Sequence, residues 1–193
     1  MSDAGPIRIR DVTILSDDHY ILRRTRFDYR RRDGSWQAMS RESYDRGNGA
    51  AILPYDPVRG TVLLVRQFRY PAYENGHPEP MIEVIAGLLD ENDPLTTVCH
   101  EAEEEAGYRI RAPRRVYDAF MSPGAVTERL TLFIAEYSAD DRIGNGGGLH
   151  DEGEDIELLE PSFDEALAMI ADGRICDAKT IILLQYAQLN LFA

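Results

Sequence analysis

Apolar residues along this chain fall mostly in short runs bounded by turn residues, the pattern of strands with one or two buried faces. Residues 7–15, 20–31 and 36–45 alternate apolar and polar side chains and predict three strands, with Asp33-Gly34 as a hairpin turn between the last two. From Gly47 the runs become more apolar. GNGAAILPYD (47–56), TVLLVRQFRY (61–70) and MIEVIAG (81–87) predict strands, punctuated by Asp56-Pro57 and Gly60. VYDAF (116–120), RLTLFIAEYS (129–138) and DIELLEP (155–161) add three more. The period changes to that of a helix in three places. One helix is predicted between Asp93 as N-cap, with Pro94 in the first helical position, and Gly107 just past the end. A second starts with a capping box, Ser162 and Glu165, and stops at Gly173, and a third covers the tail from Asp177 to Phe192. Strands, a central helix, more strands and terminal helices make an α+β chain: a mixed β-sheet sandwiched between helices, preceded by an antiparallel β extension. The change in texture divides it into an extension, 1–46, and a main domain, 47–193.

Bulk composition narrows the functional classes. The net charge of −13 argues against a nonspecific nucleic-acid binder, which normally presents a basic surface. An acidic protein acting on an anionic substrate needs local cations at its site. The exception to the acidity is the extension, where Arg23, Arg24, Arg26, Arg30, Arg31 and Arg32 cluster. Two cysteines, Cys99 and Cys176, are too few for a disulfide framework, and no run reaches membrane-span length. The expectation is a soluble cytoplasmic protein with no membrane partner.

The chemistry concentrates at residues 101–105. On a regular α-helix Glu101 and Glu105 lie four residues apart on one face, with Glu104 alongside. Like charges at that spacing repel, and a cation between them reverses the sign; hard divalent ions take such oxygen ligands and share their sites with phosphates. Read alone, the cluster is a solvated acidic helix as readily as a metal site.

Gly87, Glu101, Glu104, Glu105 and Gly107 together resemble the signature box of the Nudix hydrolases. The chain departs from that box in three ways. Asp93 stands for its first Glu, His100 for its Arg, and the stretch between them is one residue shorter. EVIAG (83–87), RESYDRGNGAAIL, LLVRQFRYP and MSPGAVTE are similar to the ADP-ribose and nucleotide-sugar pyrophosphatase branch. The combination of YDRGNGA, VRQFR, IAGLLDEND, FIAEYS, a Gly-rich loop and DAKT is similar, more narrowly, to its bacterial GDP-mannose pyrophosphatases.

The resemblance implies a Nudix fold and a Mg²⁺ cofactor, with Mn²⁺ as the alternative ion. Glu101, Glu105 and the Ala86 carbonyl would be principal metal ligands, and Glu104 an auxiliary one. It further implies Glu152 as the group that activates water, with Glu154 as a metal contact, both in the loop 144–160. That loop is glycine-rich, which by itself reads as freedom to move. Arg69 resembles the family's substrate arginine, and a guanidinium grips a diphosphate in bidentate fashion. Arg46, Glu128 and Lys179 are further candidate substrate contacts. For Glu128 an ion pair, and for Lys179 a helix cap, are the plainer readings. Glu83 takes part in the site or braces it, Arg41 and Glu42 shape a nucleotide pocket or a subunit interface, and Tyr20 or Phe27 stack on a base or pack in the core. His19, His77 and His150 show no metal-ligand spacing. A homodimer paired through the extension is expected. The activity implied is cleavage of a nucleotide sugar, GDP-mannose ahead of ADP-ribose. A nucleotide sensor with a worn box and an RNA-decapping enzyme are alternatives from other classes.

Overall fold

The computed structural model describes residues 5–89, 93–149, 151 and 153–192. Two compact units divide the chain: 1–48 with 120–128, and 49–119 with 129–193. The first unit therefore includes 120–128, which the change in sequence texture assigns to the main domain. Tyr44 carries the link. Its N–H donates to the Ala125 carbonyl at 2.8 Å, and its own carbonyl accepts from Thr127 N at 3.0 Å.

The first unit is an antiparallel meander of β1 (Ile7–Asp17), β2 (Ile21–Arg30) and β3 (Trp36–Asp45). Asp33 and Gly34 make the turn into β3 as the sequence predicts. Gly34 has φ +85°, and the Asp33 carboxylate accepts from Ser35 N at 2.9 Å. Register places Ile7 opposite Tyr29, Ile9 opposite Phe27 and Phe27 opposite Met39, so these side chains share one face.

The second unit is built on β4 (Gly49–Asp56), whose eight residues are all buried. It pairs in parallel with β10 (Arg129–Glu136) and antiparallel with both β5 (Thr61–Val62) and β8 (Ile85–Leu88); β9 (Arg114–Phe120) lies beyond β10. A strand buried on both faces reads as the near-continuous apolar run seen here. A second sheet holds β11 (Glu157–Leu159), β6 (Leu64–Gln67) and β7 (Met81–Glu83). The core joins Ala50 and Ile52 of β4 to Val65 and Ile85, and to Val98, Ala102 and Ala106 of the acidic helix. Helix α4 (Ala178–Asn190) packs on β4 and β10 through buried Leu183, Leu184 and Ala187, beside α3 (Phe163–Ala171). Among the described residues, no helix is long and apolar enough to cross a membrane.

Two predicted strands break in the middle, for the same reason. TVLLVRQ and MIEVIAG each leave one sheet and enter the other, at Leu63 and Val84. A residue at such a switch has no ladder partner for its N–H, and a buried N–H left unpaired is costly. Leu63 N finds the Pro54 carbonyl at 3.0 Å, and Val84 N finds Thr180 Oγ1 at 2.8 Å. Thr180 is fully buried and donates in turn to Asp177, the N-cap of α4, at 2.7 Å. Thr180→Val keeps the shape and removes the acceptor. It should destabilise the fold by about 1–3 kcal/mol, read as a lower urea midpoint at unchanged m-value.

Candidate active site

The acidic helix begins as predicted. Asp93 accepts from Leu95 N at 3.0 Å and Thr96 N at 3.2 Å, and α2 runs Pro94–Glu101. It then departs from a regular α-helix: Ala102–Ala106 form a π-helical turn, closed by Gly107 in the left-handed region at φ +73°. π turns are rare and often sit at functional sites. This one divides the glutamates. Glu105 turns inward with 1% of its surface accessible, Glu101 is half-buried, and Glu103 and Glu104 face solvent.

The glycine-rich loop makes the turn possible. A helix end leaves carbonyls without partners. Here Gly147 N donates to Glu105 O at 3.0 Å, Gly148 N to Glu104 O at 3.1 Å, and Ile143 N and Gly144 N to Gly107 O at 2.8 and 3.0 Å. A side chain at Gly146 would place its Cβ 2.3 Å from Glu105 O, and one at Gly148 would come 2.5 Å from Glu154 Oε2. Gly146 and Gly148 are there for close approach, a role that the reading of the loop as free to move does not include. Glu104, expected as an auxiliary ligand, contributes its main-chain carbonyl to this seam while its side chain is exposed.

Four predicted side chains converge. Glu105 Oε2 accepts from Ala86 N at 3.3 Å, so the Ala86 peptide abuts it. The Glu101 carboxylate lies over Gly87, where an added Cβ would be 1.7 Å from Oε1. Burial, and then the negative charges of Glu101 and Glu154, push the Glu105 carboxyl well above its usual range, against the pull of Ala86 N and the Arg69 guanidinium. Glu154, half-buried, is steadied by Leu149 N at 2.9 Å. Glu152, the expected water-activating group, and His150 lie outside the described residues. Among the described residues, no three acidic, His or Cys side chains already close around one ion.

Arg69 follows β6 and precedes the short helix α1 (Tyr70–Glu74), where the apolar pattern predicts strand as far as Tyr70. Its Nε donates to Glu83 Oε1 at 2.7 Å and one Nη to Oε2 at 3.3 Å. Lys179 Nζ donates to the same Glu83 Oε2 and lies 3.1 Å from Asp177 Oδ1. Burial alone would raise the Glu83 carboxyl, but Lys179 and Arg69 outweigh it and hold it below its ordinary value. Lys179 is buried in this network, beyond the helix-cap role considered for it. His100 is exposed in the last turn of α2. The Arg69 guanidinium lends Glu105 some positive charge from a distance while its hydrogen bonds go to Glu83.

The other candidates belong to the first unit. Arg46 Nε stands 3.3 Å from Glu128 Oε1, within ion-pair distance but off hydrogen-bond geometry, since that buried nitrogen has no hydrogen-bond partner among the described residues. The ion-pair reading of Glu128 is the one the geometry matches. Arg46 also lies 5.7 Å from the Tyr20 ring, while Phe27 is half-buried on its sheet. Arg41, Glu42 and Ser43 line an open cleft of about 700 Å³ with Phe120, Pro123 and Val126.

Three carboxylates near one another, Glu105 buried and Glu101 and Glu154 half-buried, are the kind of oxygen donors that hard divalent ions take in phosphate-handling sites. The family model of the GDP-mannose pyrophosphatase NudK N-terminal domain matches residues 6–44. A GDP-mannose pyrophosphatase of Pectobacterium atrosepticum is 50% identical over 185 residues, 95% of each chain. Those of Cronobacter sakazakii (48%, covering 92% of each chain) and Klebsiella pneumoniae (49%, covering 91% of this chain and 88% of its own) are similar throughout. The chain belongs to the GDP-mannose pyrophosphatase family of Nudix hydrolases.

Proposed function

We propose that this enzyme cleaves the diphosphate of GDP-mannose, giving GMP and mannose 1-phosphate, on a Nudix fold. The observation that carries the chemistry is the burial of Glu105 against the Ala86 peptide, beside the carboxylate of Glu101 over Gly87. Such a cluster fits a hard cation with oxygen ligands, and Mg²⁺ is the ion we assign, with Mn²⁺ as its substitute. Glu101, Glu105, Glu154 and the Ala86 carbonyl are the groups that would hold it. Bound there, it would neutralise phosphate oxygens and acidify a water. Arg69 grips the diphosphate with the N–H groups that Glu83 leaves unused. Glu152, two residues before Glu154 in the chain, is our candidate to take the proton from the attacking water. The relatives' names support GDP-mannose as the substrate. Hydrolysis assays in Mg²⁺ with GDP-mannose and ADP-ribose in parallel, identifying products, test the reading. GDP-mannose should be cleaved with the higher kcat/KM; much faster cleavage of ADP-ribose overturns the substrate assignment.

The enzyme is also proposed to be a cytoplasmic homodimer. Free Cys99 and Cys176 support the compartment. The dimer is supported by the apolar residues of β1, where Ile7 is 49%, Ile9 60%, Val12 52% and Ile14 55% exposed. A small sheet gains little stability with such a face in water, and a second copy would cover it. Light scattering at micromolar concentration should give the dimer mass, and Ile9→Glu should shift it toward monomer. A monomeric wild type contradicts the proposal.

A further inference from the structure

The Glu83 carboxylate does something the diphosphate chemistry does not require of it directly. It is 3% exposed, touches two cations, and ties together three elements: β7, the exit of β6 and the start of α4. Arg69 is held along one edge, through Nε and one Nη, while its side chain stays 40% exposed. Lys179 approaches Glu83 Oε2 from α4 and is itself anchored by Asp177 at 3.1 Å. Two cations and two carboxylates thus balance in charge, so Glu83 is not left as an uncompensated buried ion. An unrestrained arginine carries large rotamer entropy, which binding a phosphate would have to freeze. Arg69 is held beforehand, with Nε and one Nη committed to Glu83.

We propose that Glu83 is a positioning residue for the reaction, orienting the Arg69 guanidinium toward the substrate diphosphate while Lys179 compensates the carboxylate's second oxygen. This rests on the reading of Arg69 as the diphosphate ligand. Glu83 acts on substrate binding through Arg69 and through no contact of its own.

Steady-state kinetics on GDP-mannose with Arg69→Ala, Glu83→Gln and the double variant provide the test. Glu83→Gln should raise KM about tenfold or more, with a smaller change in kcat. In the Arg69→Ala background, Glu83→Gln should add nothing further to KM, since the group it positions is gone. If the two KM effects multiply in full, Glu83 acts independently of Arg69 and the proposal is overturned. If Arg69→Ala leaves KM unchanged while the wild type turns over normally, Arg69 is not the diphosphate ligand and the proposal falls with that assignment. A wild type inactive on every nucleotide sugar tried removes the pyrophosphatase reading itself, a distinct result. Glu83→Asp keeps the charge and withdraws the carboxylate by one methylene. It should raise KM at an unchanged melting temperature, so the proposal stays testable if the Gln variant does not fold.

Discussion

Glu105→Gln is expected to lower kcat by roughly a thousandfold while leaving the metal-free fold at least as stable as the wild type. The substitution keeps the volume of a side chain that is 1% exposed, and an amide still accepts from Ala86 N. What it removes is a negative charge buried beside those of Glu101 and Glu154. In the absence of a cation that charge opposes folding, because burial and like neighbours both disfavour it. In the proposed working enzyme the same charge would hold the cation. Stability and activity therefore move in opposite directions, which simple misfolding would not produce. Calorimetry in EDTA should show an equal or higher melting temperature, and product assays in Mg²⁺ should show the loss. Undiminished turnover would remove Glu105 from the site.

Why the sequence revealed some of this and concealed the rest depends on the distance over which each feature is determined. The Asp33-Gly34 turn, the Asp93 cap and the Gly107 stop are decided within a few residues, and all three are present. The switches at Leu63 and Val84 are not local properties. Val84 looks like any β-branched residue in an apolar run until Thr180 supplies the acceptor for its N–H. The π turn is likewise invisible in AEEEA alone, since the donors that satisfy its carbonyls come from Gly147 and Gly148. The glycine spacing was a signal for that seam, but composition reads it as flexibility, and only the 2.3 Å approach at Gly146 shows why no side chain fits. The proximity of Glu101, Glu105 and Glu154 is legible because a resemblance fixes their register. The connection of Lys179 to Glu83, 96 residues apart, had no counterpart in local pattern.

Gly87→Ala should lower kcat/KM by about a hundredfold or more with only a few degrees' change in melting temperature. Gly87 lies in β8 opposite Ala50 of β4, and an added methyl would meet Glu101 Oε1 at 1.7 Å and its Cδ at 2.2 Å. These atoms and Cγ, at 2.7 Å, belong to a half-buried side chain rather than to backbone, so the collision is relieved by swinging that side chain away. That rotation takes Glu101 out of the cluster and leaves Glu105 and Glu154 without their third carboxylate. Titration calorimetry with Mn²⁺ should then show weakened binding, independently of any turnover measurement. Gly49→Ala on the neighbouring strand is the contrasting case. Its methyl would lie 2.7 Å from Leu130 Cδ2 and 2.9 Å from the Gly87 carbonyl oxygen, and the latter cannot rotate aside. That variant should lose stability by the strain of an overpacked core, about 1–3 kcal/mol. Wild-type kcat/KM in Gly87→Ala would mean that the position of Glu101 over this glycine has no part in catalysis.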